Sequence, residues 1–192
     1  TMLFSCVSIS LPVSAAVKME TKNGLLDFEA ENTTYTKDRL GVLEDKMFSG
    51  GKGLKVLVED KEEPASSAPA HIDLSFKADK AGTYTIWMRK RASVADHAGQ
   101  SVFLSLDGGE YAWTKLSGEI GQPAWTKLGT VTVATAGGTG NAKLRVRQQK
   151  DIVIDRFIIT DNASYTPDDA ALGIKSGATA TPSKPAPTSA SK

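Results

Sequence analysis

The chain has 192 residues, 40% of them hydrophobic and 23% charged, with 17 glycines, 8 prolines and a formal net charge of +1. That length suits one folded domain with a real core plus tails. The near-zero charge excludes a global field that would draw in nucleic acid or an acidic membrane, so any affinity must come from a local site.

Residues 1–16, TMLFSCVSISLPVSAA, carry no charge and end in small residues. They read as a secretory leader without its charged start, and are too short and too interrupted by Ser and Pro to span a bilayer. A lipid anchor at Cys6 and a retained apolar arm are the two other readings. Cys6 is the single cysteine, so a domain that starts at residue 17 has no disulfide. Its core, helped by a metal if one is present, must hold it.

The first strand pattern, LLDFEAE (25–31), closes on two glutamates, Glu29 and Glu31. In a strand both side chains point to one face, where they repel each other unless a cation or water intervenes. Two readings follow. A calcium ion takes six to eight oxygen ligands and suits paired carboxylates; a solvated edge strand is the other.

GLKVLVE (53–59) reads as another strand. HIDLSFKA (71–78) sets Ile72, Leu74 and Phe76 on one face, and GTYTIWMRKRA (82–92) sets Tyr84, Ile86 and Met88 against Trp87, Arg89 and Arg91. SVFLSLDGG (101–109) turns Val102, Leu104 and Leu106 inward before a tight turn, and WTKLGTVTVA (125–134) follows. AKLRVRQQ (142–149) places Leu144 and Val146 inward with Arg145 and Arg147 outward; DIVIDRFIIT (151–160), almost unbroken apolar, reads as a central strand through Ile154. Period-two alternation between Gly/Pro/Ser/Asn clusters, with no convincing helix of ten residues, predicts an all-β protein, an antiparallel β-sandwich of jelly-roll type. The domain is expected over 17–167. Residues 168–192 end in SGATATPSKPAPTSASK, whose Ser/Thr/Pro/Ala composition reads as a linker of a modular protein.

Catalysis finds little support. His71 and His97 are the two histidines, there is no GxSxG, and two carboxylates on one strand do not flank a bond as a glycosidase pair must. AGGTGN (136–141) opens no helix and reads as a hairpin loop. The chain is read as a binding protein, not an enzyme.

Sugar recognition needs an aromatic face with polar groups around it. Trp113 and Trp125, with Tyr111 nearby, lie in EYAWTKLSGEIGQPAWTK (110–127), as an exposed platform or as caps on the core. Trp87 shares a strand face with Arg89. If Arg145 and Arg147 stand on the same sheet, guanidinium groups beside an aromatic ring suit a uronate carboxylate; the alternative is a solvated face paired to Asp73 and Asp107. Asp96 and His97, in the loop ASVADHAGQ (92–100), could also hydrogen-bond a ligand.

In order and spacing, LLDFEAENTTY, SGGKG, AGTYTIWMRKRA, the Trp-containing middle and DIVIDRFIIT resemble carbohydrate-binding modules of families 6 and 35. These are galactose-binding-like sandwiches appended to secreted polysaccharide-degrading enzymes, and the resemblance covers about residues 25–167. It implies a structural calcium ion held by Glu29, Glu31 and Asp155, with carbonyl oxygens around Ser49–Gly51. It also implies a polysaccharide or oligosaccharide ligand, an attached catalytic domain and secretion, with no nucleic acid and no membrane span. Ligand sites in these families lie at loop tips or on the concave sheet face, and the resemblance does not choose between them. The competing class is a structural or adhesive sandwich with a protein partner.

Overall fold

The computed structural model describes residues 19–57, 70–93, 101–146 and 152–175. Arg147, Asp96 and His97 lie outside these residues. The strands are β1 (Leu25–Glu29), β2 (Thr34–Tyr35), β3 (Leu40–Glu44), β4 (Lys52–Val56), β5 (His71–Asp73), β6 (Phe76–Lys77), β7 (Gly82–Ala92), β8 (Ser101–Leu106), β9 (Ala112–Lys115), β10 (Ala124–Val133), β11 (Thr139–Gly140), β12 (Ala142–Val146) and β13 (Ile152–Thr160).

Two sheets face each other. One runs β10-β7-β13-β4-β3, with β1 also paired to β13; the other runs β2-β5-β12-β8-β9; β11 and β6 form a short pair between them. All strand pairs are antiparallel. The nearly unbroken apolar run of β13 makes sense at the centre of its sheet, with β7 on one side and β4 then β1 on the other.

Alternation decides what is buried. Ile72, Leu74, Phe76, Tyr84, Ile86, Leu104, Leu144, Val146 and Ile154, expected inside, all belong to one buried cluster fed by both sheets. Phe76 meets Tyr84 edge-on with ring centroids 5.2 Å apart, and Phe28 stacks on Phe157 at 5.5 Å.

Three local features depart from the sequence pattern. The chain leaves β1 at Glu29 and enters a 3-10 turn over Ala30–Asn32, so Glu31 does not share a strand face with Glu29. The β13–β7 register shifts between Ile154 and Arg156. Asp155 is thus a bulge residue, and the bulge lets Ile154 and Phe157 both face the core. AGGTGN bridges from β10 in one sheet to β12 in the other, where a hairpin loop was expected.

The folded part also continues past Pro167, where composition placed the linker. Pro167 and Ile174 are buried, and residues 165–174 form a strap on the outer face of the six-stranded sheet. Ile158, which points away from the core, is fully buried there.

Candidate functional site

The six-stranded sheet carries Trp87, Arg89 and Trp125, three expected ligand contacts. Trp125 stands opposite Arg89, and Arg89 opposite Arg156. Two like charges side by side need counter-charge, and carboxylates supply it. Asp169 of the strap grips Arg89 with both oxygens, at 3.0 Å from Nε and 2.6 Å from Nη2, and accepts the Trp125 indole N–H at 2.8 Å. Asp155 takes Arg89 Nη1. Burial works against the Arg89 charge, but Asp169 and Asp155 outweigh it and raise the guanidinium pKa. Asp27 holds Arg156 through two contacts of 2.6 and 2.7 Å. Arg89 is 1% exposed and Trp87 is half-buried with its indole nitrogen unpartnered. Arg89 and Trp125 fasten the strap to this sheet through Asp169.

Around Ser49 the expected metal ligands gather in part. The Ser49 N–H donates to Asp155 Oδ1 at 2.9 Å and the Ser49 hydroxyl to Glu29 Oε1 at 2.7 Å, while Arg156 Nη1 donates to the same Glu29 oxygen at 3.0 Å. Gly50 sits at φ 60 in the intervening turn, a left-handed conformation that favours glycine. Among the described residues no three Asp, Glu, His or Cys side chains converge into a metal-binding group. The reason is visible: the bulge turns Asp155 toward Arg89, so both its oxygens are engaged, and the 3-10 turn moves Glu31 off the strand. Burial pushes the Asp155 carboxyl up to about 7, against the pull of Arg89 and the Ser49 N–H. What fits a cation is the remaining pair. Glu29 Oε2 and Glu31 Oε2 are both buried without a hydrogen-bond partner. Burial and then the Glu29 charge push the Glu31 carboxyl up, opposed by its own backbone N–H and, more weakly, by Lys52. Two unpaired buried carboxylate oxygens are costly unless something positive reaches them.

The open aromatic surface is on the other sheet. Register aligns His71, Arg145, Phe103 and Trp113 in one row across β5, β12, β8 and β9, all on the face opposite Ile72, Leu144 and Leu104. Adjacent strands are about 4.8 Å apart, so the row is roughly 14 Å long. Trp113, on the edge strand, is 48% exposed. Tyr111, from the segment ahead of β9, lies over Arg145 with its ring centroid 3.9 Å from the guanidinium carbon and meets the His71 ring edge-on at 6.2 Å. Arg145 is 8% exposed, and its Nε has no hydrogen-bond partner. A cation–π stack of this kind holds a guanidinium in place. Beside the row, Thr34, Tyr35, Thr36, His71, Asp73 and Lys143 line an open cleft of about 260 Å³.

The condition on which Arg145 would stand beside Trp87 is not met, because β12 and β7 belong to opposite sheets. His71, Phe103 and Lys143 were not picked out as site residues. Their signal was the polar half of each alternation; what joins them is strand order, which is non-local.

No protein-family model and no curated protein matches the sequence. Among solved structures, a family 35 carbohydrate-binding module from Clostridium thermocellum aligns with TM-score 0.50 and 10% identity over 70% of this chain and 96% of its own. The chain has the fold of a carbohydrate-binding module. The same CBM-like sandwich occurs in the GH26-CBM35 β-(1,4)-mannanase of Podospora anserina, with TM-score 0.56 and 17% identity over 77% of this chain. This chain spans 30% of that enzyme's length. The sandwich also occurs in the mosquito-larvicidal Cry4Aa toxin of Bacillus thuringiensis, with TM-score 0.53 and 14% identity over 74% of this chain and 24% of the toxin. No helix among the described residues is long and apolar enough to cross a membrane.

Proposed function

We propose that this chain is a non-catalytic carbohydrate-binding module that holds polysaccharide across the outer face of its five-stranded sheet. The observation that carries this is the row His71–Arg145–Phe103–Trp113 with Tyr111 stacked on Arg145. Aromatic faces take the apolar faces of pyranose rings, and the flanking polar and charged groups take hydroxyls. At the β5–β12 end, Arg145 and Lys143 add positive charge, so an acidic, uronate-bearing glycan is the favoured ligand. Arginine suits its carboxylate by geometry as well as by charge.

The module would serve a secreted modular protein, bringing an attached domain to its polysaccharide. The leader-like residues 1–16, the Ser/Thr/Pro-rich tail and the mannanase that carries the same sandwich as 30% of its length support that reading. A structural calcium ion is proposed at Glu29 and Glu31, whose two buried unpartnered oxygens suit a hard cation. It would add no chemistry, only a link between β1, the turn after it and the Ser49 loop.

The experiment is binding of acidic and neutral glycans by the parent and by Trp113→Ala, with a thermal melt of each. An exposed platform residue should lose binding without losing stability; retained binding in the variant sinks the sheet-face site. The adhesive-sandwich alternative draws on Val42 in edge strand β3 and Leu57 beside it, each 44% exposed, and on a toxin that shares the sandwich. Glycan binding by the parent decides against it.

A further inference from the structure

Resting on the sheet-face reading above, we infer that His71 is the residue that makes this site prefer acidic over neutral glycan, by taking up a proton as the glycan carboxylate binds. The geometry starts from the stack. Tyr111 touches two groups, with Arg145 beneath its ring and the His71 ring at its edge. His71 and Arg145 are direct register partners on adjacent strands, so their side chains emerge side by side from one face of the sheet. The open cleft lies on the His71 side, lined by Lys143 and Asp73.

Among the described residues, the charged and titratable groups around the imidazole are Arg145 and Lys143 from β12, Asp73 on its own strand, Tyr111 from the segment before β9 and Tyr35 from β2. Asp73 turns one oxygen to the Ser75 N–H at 2.9 Å. The backbone of His71 is fixed by Thr36, whose hydroxyl accepts the His71 N–H at 3.2 Å and whose N–H donates to the His71 carbonyl at 3.1 Å. The strand is thereby held so that the ring, met edge-on by Tyr111, lies beside two cations. Burial, then Arg145, then Lys143 hold its pKa below the ordinary histidine value. The neutral imidazole is thereby favoured in the free protein.

A carboxylate entering the cleft toward Arg145 reverses the local field. It offsets the two cations that hold the proton off and offers an acceptor to the imidazolium N–H. The sign follows from linkage. The free-state pKa is depressed and the bound-state pKa is raised, so binding takes up a proton between the two values. Affinity for acidic glycan rises as pH falls through this window and levels off below it. Below pH 5 a uronate would itself begin to protonate, which sets the useful lower limit. A neutral glycan supplies no counter-charge, and protonating His71 beside Arg145 does nothing for it. The histidine thus adds a pH-dependent discrimination to the fixed placement of Arg145 and Lys143.

The test uses the full chain and two probes, an oligogalacturonate and the same oligosaccharide with its carboxyls reduced to alcohols. Affinity is measured from pH 8 to pH 5.5 at fixed salt for the parent and for His71→Gln, with thermal melts of both. Calorimetry of the parent in buffers of different ionisation enthalpy counts protons directly. The expected result is a rise of about three- to tenfold for the acidic probe as pH falls, a fraction of one proton taken up, and no such slope for the reduced probe. The slope should vanish in His71→Gln. Binding of the acidic probe that is flat with pH, or a slope that survives in His71→Gln, overturns the role of His71 and leaves the glycan reading standing. Should His71→Gln fail to fold, the proton count on the parent decides: zero uptake overturns the inference. Failure of both probes to bind at any pH removes the glycan reading, and this inference with it.

Discussion

Asp169→Ala tests whether the strap belongs to the fold. Its carboxylate makes two contacts to Arg89 and one to the Trp125 indole, at 3.0, 2.6 and 2.8 Å. The Arg89 side chain is 1% exposed, while that of Asp169 is 25% exposed. Removing one partner of a fully buried ion pair costs about 3–5 kcal/mol because a bare charge stays behind. Here Asp155 still holds Nη1, and the exposed side of Asp169 lets water reach the vacated fork. The expected loss is therefore lower, about 2–3 kcal/mol. For a domain of this size that is roughly 5–10 °C in Tm. Urea denaturation followed by tryptophan fluorescence reads it, since Trp125 loses its partner in the same step. Asp169→Asn keeps an acceptor oxygen and should lie between the two. The control is Asp168→Ala, whose exposed carboxylate caps only the Ala170 and Ala171 N–H groups and should cost less than about 1 kcal/mol. If Asp169→Ala matched the parent to within about 0.5 kcal/mol, an ordinary surface effect, the strap would be dispensable and the argument from buried charge wrong.

Chelation should lower Tm and added calcium restore it; calcium at 100 times its Kd stabilises by about 2.7 kcal/mol. Glu31→Gln should abolish that response, and a melt indifferent to both returns Glu29 and Glu31 to a cation-free reading. Lys90 is fully buried on the core face with Nζ unpartnered, and burial holds its pKa below the usual lysine value. Lys90→Met should therefore stabilise by about 1–3 kcal/mol at pH 7. The sign with pH is fixed: the unfolded lysine binds its proton more tightly, so the parent gains stability as pH rises toward 10.5 and the gap to Lys90→Met should narrow. A gap constant from pH 7 to 10 refutes this. Acidic-glycan binding should weaken with salt through Arg145 and Lys143, whereas neutral-glycan binding should change little; equal salt slopes would remove the charge from recognition.

The sandwich was legible because burial on one face of each strand writes a period of two into the sequence, as at Ile72–Phe76 and Tyr84–Met88. The site was less so. Alternation says that Arg145 and Trp87 point away from the core, but not that they lie on opposite sheets, since strand order is set by long-range packing. Asp155 reads as one more residue of an apolar strand, and only the register slip against β7 shows it as a bulge. The strap left almost no pattern: Pro167, Asp169 and Ile174 are its three fixing points, too few and too unevenly spaced to register as periodicity. Glu31 misled for a local reason, because Ala30–Asn32 close a 3-10 turn where the alternation suggested strand.

The strap also decides where mechanical load enters the molecule. Whatever follows Lys175 leaves one residue beyond buried Ile174, on the six-stranded side. Tension from there meets the Asp169–Arg89 clamp first. It then passes into β7, which is hydrogen-bonded along its length to β10 on one side and β13 on the other. The row from His71 to Trp113 lies on the opposite side of the sandwich. A pull applied at that end would thus be borne by one sheet while the other keeps its shape.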